Sequence, residues 1–133
     1  AKRLNVGLAI IDKRRDQPNQ AKAMYVIGDV RDKTCVVIDD MIDTAGTIVA
    51  GGKVLLENGA AQIMAAAPHA VLSGPALERL NDSPFTQVIV TDTIPLEDKL
   101  ASCSKLKALS VAPLLAKAIF NIHKGSSVSA LFV

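Results

Sequence analysis

The chain has 133 residues, the size of one domain, and half of them are hydrophobic. Aromatics make up 3% with no Trp, so the core has to be aliphatic, the usual filling of a parallel sheet covered by helices. A net charge of +2, with basic residues clustered only at Lys13, Arg14 and Arg15, argues against a nucleic-acid surface, and no run approaches the ~18 apolar residues of a membrane span.

The opening "AKRLNV" lacks the apolar region of a signal peptide and reads as the tail of a helix, so the chain is expected to begin inside a larger protein. Residues 6–12 form an apolar run and a predicted strand. The polar stretch 13–22 reads as a loop. Residues 23–30 and 34–40 are two further predicted strands, with a turn at Asp32-Lys33. Apolar positions at Ile48, Val49, Val54, Leu55 and Leu56 have helical spacing, and Asn58-Gly59 is a C-terminal stop, which predicts a helix over 45–58. Gly51 and Gly52 inside it cost about 1 kcal/mol each relative to alanine, and close packing on the sheet accounts for them.

Further along, 61–69 reads as a strand, 73–81 as a short helix with Pro75 in its first turn, and 86–92 as a strand. Residues 110–125 read as a helix with Ser110 as N-cap and Gly125 as its stop, and 126–132 as a closing strand or extended tail. Cys35 and Cys103 have no metal-ligand spacing and are read as unrelated thiols in a reduced, cytoplasmic setting rather than as a disulfide. Strands alternating with helices predict an α/β fold with an open, mainly parallel sheet flanked by helices. Such folds bind ligands outside the carboxyl ends of the strands, where 39–47 fall.

The stretch "VVIDDMIDTAGT", residues 36–47, carries the chemistry. If 34–38 is a strand and the helix starts near Thr44 to Thr47, "DTAGT" lies on a helix N-terminus. Backbone N–H groups there lack intrahelical partners and carry the positive end of the dipole. Small residues admit an anion, and Thr44 and Thr47 add hydroxyl donors, which makes a phosphate cradle. The lysine and glycine spacing of a P-loop is absent. Asp39 and Asp40 would repel a pyrophosphate. They suit the hydroxyls of a sugar, and they also offer oxygens to Mg²⁺, directly or through water. A phosphorylated sugar satisfies both halves of the stretch. Singly, each acid is as well explained as a strand end or helix cap.

"VVIDDMIDTAGT" resembles the phosphoribosyl pyrophosphate motif of the type I phosphoribosyltransferase fold. Together with "LAIIDKRR", "IGDV", "HAVLSGPALERL", "VTDTIPLEDK" and "SVSALF", the chain resembles the C-terminal part of the ribose-phosphate pyrophosphokinases over almost its whole length. The resemblance implies diphosphoryl transfer from ATP to ribose 5-phosphate with Mg²⁺. It implies that Asp43, Thr44, Ala45, Gly46 and Thr47 hold the 5-phosphate and that Asp39 and Asp40 face the ribose hydroxyls. Ala45 stands where the family often has Gly, and its methyl is tolerable if the backbone angles are ordinary.

"DKRR" resembles the family's catalytic loop, with Lys13 as catalytic lysine and Arg15 as its partner, also reaching the ribose phosphate. Cations placed there stabilise charge on transferring phosphoryl oxygens. By themselves these residues read rather as a solvated basic turn, and it is the resemblance that favours the catalytic reading. Ser127, Ser129 and Phe132 resemble part of an inter-subunit effector site for phosphate, an activator, or a nucleotide. His69 follows Pro68 where the family commonly has Thr, and it reads as structural. His123 reads as a surface residue.

The resemblance further implies a homo-oligomer, commonly a hexamer, with no nucleic acid or membrane partner. It implies Mg²⁺ and ATP sites built mostly by residues outside this chain, with no metal ligand set inside it. The family's N-terminal domain and the first strand and loop of its C-terminal domain are not in these 133 residues, so the chain alone is expected to be inactive. Two alternatives are a phosphoribosyltransferase, for which no nucleobase hood is found, and a non-catalytic regulatory homologue.

Overall fold

The computed structural model describes residues 1–14 and 23–132, without the side chains of Lys13, Arg14, Ala23 and Glu97. Its centre is a four-stranded, wholly parallel sheet in the order β3-β5-β7-β8, formed by Thr34–Ile38, Gln62–Ala67, Val88–Thr91 and Leu106–Leu109. Helices α1 (Gly46–Glu57), α2 (Ala76–Asn81), α3 (Glu97–Ser102) and α4 (Ala112–His123) lie between or after these strands. The expected α/β architecture is therefore present. Ahead of it, β1 (Ile10–Arg14) and β2 (Ala23–Ile27) form an antiparallel hairpin, from Ile10 opposite Ile27 to Arg14 opposite Ala23.

The sheet's two faces are unlike. Ile63, Ala65 and Ala67 of β5, Val88 and Val90 of β7 and Leu106 of β8 are buried together with Ile48 and Leu55 of α1, Leu80 of α2, Phe85 and Cys103. This is the aliphatic core that the composition demands. On the opposite face Val36 aligns with Met64, Ile38 with Ala66, and Ala66 with Ile89. Ile38 there is 75% exposed, and Val36 and Leu109 are also exposed. Parallel sheets are normally covered on both faces. Helix α4 has no buried residue, and its stripe Leu115, Ile119 and Ile122, at i, i+4 and i+7, faces solvent. Its first turn is tied to the sheet by Asp92, whose carboxylate accepts a hydrogen bond from the Val111 N–H at 2.7 Å. The Ser110 hydroxyl, then that amide, hold this carboxyl below the usual range.

Several sequence expectations need correction. The first strand is 10–14, not 6–12, so Lys13 and Arg14 belong to β1 rather than to a loop. The opening residues make one 3-10 turn, Lys2–Leu4. Helix α3 and strand β8 have no counterpart among the predicted elements, and Cys103, the residue that ends α3, is buried. The N-cap of α4 is Val111, one residue after Ser110. The tail is neither strand nor extended. Ser129–Phe132 is a 3-10 turn folded back toward α4, held by Ser126 N–H to Asn121 O at 2.8 Å and Asn121 Nδ2 to Ser127 O at 3.0 Å. Alternation of small and apolar residues suggests a strand, but these bonds give the backbone a local alternative. Both cysteines are free, and partial burial pushes the Cys35 thiol up.

Close packing on the sheet explains Gly52 but not Gly51. A Cβ on Gly52 would come within 2.8 Å of Phe85 Cζ and 2.9 Å of Ile63 Cδ1. One on Gly51 would meet only Ile11 Cδ1, at 3.0 Å. Thus α1 lies tight on the sheet, and the hairpin lies tight on α1.

Candidate functional site

Strand β3 ends at Ile38, and Asp39 continues its pairing through one bond, Asp39 N–H to Ala66 O at 3.1 Å. The Asp39 carboxylate then accepts the Asp40 N–H at 3.0 Å and turns the chain. A two-residue strand β4, Met41–Ile42, pairs in parallel with β6, His69–Ala70. Ile42, 1% exposed, anchors this bridge in the core. The chain passes Asp43 and Thr44 and enters α1 at Gly46.

The N-cap of α1 is Ala45, with φ 61° and ψ −2°, and no side chain caps the helix. Its first-turn amides are left for another acceptor, and the dipole favours an anion there. The left-handed backbone at Ala45 is the reason relatives with Gly would be at ease at this position. The angles are not ordinary, so the condition set for tolerating the methyl is not met. An L-residue there carries roughly 1–2 kcal/mol of strain.

A cleft of about 210 Å³ is lined by Asp39, Asp40, Met41, Ile42, Asp43, Thr44, Ala45, Gly46, Thr47 and Ile48. The structure thus gathers Asp39, Asp40, Asp43, Thr44, Ala45, Gly46 and Thr47 at one mouth, beyond the carboxyl end of β3. A larger depression of about 440 Å³ lies around Gly28, Asp29, Arg31, Asp32 and Asn58, before the amino end of β3. There the Lys33 ammonium, 2.7 Å from the carboxylate of Asp29, and then the Arg31 amide hold that carboxyl below its usual range. It has none of the expected site residues, and open α/β sheets take ligands at the other end.

Two residues from outside the loop hold it, and sequence reasoning assigned neither a role. Ser73 donates its N–H to Asp43 O at 3.1 Å and its hydroxyl to the Asp43 carboxylate. Arg79, on α2, donates from Nη1 to Thr44 O at 2.9 Å. Leu72 N–H to Ile42 O at 3.0 Å completes the seam. Both side chains lie in "LSGPALERL", where a serine before a short helix and a lone arginine on it were the available signals.

His69 Nδ1 lies 3.0 Å from Thr93 Oγ1, and the Pro68 carbonyl accepts from the hydroxyls of Thr91 at 2.7 Å and Thr93 at 3.1 Å. Pro68 and His69 therefore join the ends of β5 and β7. Lys13 sits in β1 with its backbone opposite Met24, and its side chain is outside the description. Arg15 lies outside the described residues altogether. Ser127 is exposed beside the C-terminal turn, and Ser129 and Phe132 are exposed at its two ends. Among the described residues no group of three or more His, Cys, Asp or Glu could hold a metal ion, and no helix is long and apolar enough to cross a membrane.

These features define an open α/β domain with a cleft beyond the carboxyl end of β3, the end at which such folds take ligands. The chain belongs to the family described as the phosphoribosyl synthetase-associated domain, which matches residues 10–133. It is 54% identical over 132 residues to a ribose-phosphate pyrophosphokinase of Caldanaerobacter subterraneus subsp. tengcongensis, covering 99% of this chain and 42% of that protein. It is 50% identical over 133 residues to the enzyme of the same name from Nitrosomonas europaea, covering 100% of this chain and 42% of that protein. A crystal structure of phosphoribosylpyrophosphate synthetase from Mycobacterium smegmatis superimposes with a TM-score of 0.82 at 41% identity, over 94% of this chain and 40% of that one. The chain spans about two fifths of the length of these relatives.

Proposed function

We propose that the full-length protein is a ribose-phosphate pyrophosphokinase and that this chain is its C-terminal, type I phosphoribosyltransferase-like domain, the half that binds ribose 5-phosphate. One observation carries the reading. In a chain about half identical to enzymes of that name, the paired acids and the uncapped, small-residue start of α1 line a single cleft.

The 5-phosphate lies against the amides of 44–47, with the Thr44 and Thr47 hydroxyls as further donors. Asp39 and Asp40 accept hydrogen bonds from the ribose hydroxyls. Because the Asp43 carboxylate is engaged by Ser73, Asp43 serves the phosphate by shaping the loop, not by pointing charge at it. The anomeric hydroxyl attacks the β-phosphorus of ATP and gives up its proton to solvent, the new O–P bond forms as the bond from the β-phosphorus to the α-phosphoryl oxygen breaks, and AMP leaves. Lys13 and Arg15 stabilise charge on the transferring and leaving oxygens. Mg²⁺ would neutralise phosphate charge, and among the described residues of the cleft Asp39 and Asp40 offer it oxygens, directly or through water. Their donor chemistry fits a hard cation, with its remaining ligands on the substrates and on residues beyond this chain.

The bare sheet face and the exposed stripe of α4 support a partner body, since both are apolar and neither is covered among the described residues. The rest of a longer enzyme and neighbouring copies in a homo-oligomer, a hexamer by resemblance, fill that role. Ser127, Ser129 and Phe132 belong to an inter-subunit effector site for phosphate or nucleotide, and the protein works in the cytoplasm.

Two experiments test the reading. The 133-residue chain should show no turnover of ATP and ribose 5-phosphate, whereas the full-length protein should form phosphoribosyl pyrophosphate; activity of the short chain would remove the need for a second half. Asp43→Ala in the full-length protein should weaken ribose 5-phosphate about tenfold, the scale of one hydrogen bond to a charged group. Unchanged affinity by calorimetry would sink the cradle.

A further inference from the structure

We propose that Arg79 is a positioning residue of the phosphate loop, turning the Thr44–Ala45 peptide so that the Ala45 N–H faces the bound phosphate. The inference rests on the ribose 5-phosphate reading above. The peptide is trans, as all described peptides are, so its C=O and N–H point in opposite directions. Arg79 Nη1 holds the Thr44 oxygen at 2.9 Å on the α2 side. With the oxygen fixed there, the amide on the other end of the same plane is turned away from α2. If the plane flipped, a carbonyl oxygen would meet the anion instead of a donor.

Three further observations make this more than a surface contact. Ala45 holds a left-handed conformation without being glycine, so its backbone needs an outside restraint to stay there. The partner is a guanidinium, whose bond to a carbonyl is stronger than a neutral one. Gly46 makes room for it: a Cβ there would lie 3.2 Å from Arg79 Nη1. The glycine at the start of α1 therefore has a second use besides admitting the anion, since a side chain at 46 would crowd the guanidinium. Ser73, through Asp43, fastens the preceding peptide, so α2 and the segment leading into it grip both ends of the turn.

The test uses the full-length protein with Arg79→Ala and Arg79→Lys. For Arg79→Ala we expect the ribose 5-phosphate Kd and KM to rise about tenfold, the value of one charged hydrogen bond. The ATP KM and kcat at saturating sugar phosphate should stay within about twofold and Tm within about 2 °C, the allowance for an exposed side chain. Arg79→Lys, which keeps charge and a donor, should recover most of the affinity. Hydrogen exchange of the peptide spanning 39–48 should quicken in Arg79→Ala without ligand. Wild-type affinity and wild-type exchange in Arg79→Ala would overturn the proposal, as would a loss shared equally by ATP and Tm. If the wild-type protein did not bind ribose 5-phosphate, the functional reading and the proposed phosphate role of Arg79 would both fall, whereas binding by wild type and by Arg79→Ala alike would sink only the role of Arg79.

Discussion

Lys13→Ala in the full-length protein is expected to lower kcat by roughly 10²–10³-fold, the usual cost of removing one preorganised group that stabilises transition-state charge. The KM for ribose 5-phosphate should change little, because the cleft proposed for the sugar phosphate is built from 39–48, on other elements. The expectation comes from strand β1. Its residue Ile11 reaches α1 opposite Gly51, so the hairpin is seated on the helix whose first turn forms the cleft. Lys13 is carried by the same strand two residues on, on backbone paired to Met24. A cation that acts only on the transferring group alters kcat and kcat/KM together. Steady-state assays at saturating ATP measure both. Activity near the wild-type rate would return "DKRR" to a solvated basic edge and leave charge stabilisation to residues elsewhere.

How much of this was legible in the sequence depends on how local each feature is. The run β3, turn, α1 was legible because its signals lie next to one another: an apolar strand, two acids, small residues, helical spacing and an Asn-Gly stop. The cleft is made of consecutive residues, so its lining could be listed before its shape was known. Helix α3 and strand β8 were missed because they are only six and four residues long, too short for either to show a full period within its own bounds. Leu96, Leu100 and Cys103, at i, i+4 and i+7, were the signal, and burial of Leu96 and Cys103 shows that two of them face the core. The bridges β4 and β6 have two residues each and exist only because the ends of β3 and β5 come together. Ser73 and Arg79 meet the loop 30 and 35 residues away in sequence. Nothing local in the chain states such a contact. The conformation of Ala45 had one signal, the Gly that the resembling family often has at this position, since alanine itself gives no hint of a left-handed turn.

The same distinction between local and tertiary causes separates the two adjacent glycines of α1, and it leads to the largest expected loss of stability. By helix propensity alone, replacing either glycine should help by about 1 kcal/mol. Their surroundings reverse this at one position. At Gly52 a Cβ would strike Phe85 and Ile63, which are 1% and 0% exposed, closer than real Cβ contacts allow. Gly52→Val adds two more methyl groups to that space. It should cost about 3 kcal/mol, the upper end of ordinary overpacking. At Gly51 the added atom meets only the end of the Ile11 side chain, which can turn aside. Gly51→Ala should stay within about 1 kcal/mol of the parent, because propensity and crowding nearly cancel. Urea unfolding of the full-length protein, read at a probe in this domain, measures both. The functional consequences should also part. Gly52→Val lifts α1 from the sheet and should weaken ribose 5-phosphate, since the phosphate amides are the first turn of that helix. Gly51→Ala is absorbed by the Ile11 side chain and should leave both the sugar phosphate affinity and kcat near those of the parent. Equal stability of the two variants would mean that α1 can slide on β5, and that the cleft is held by its loop rather than by the core beneath it.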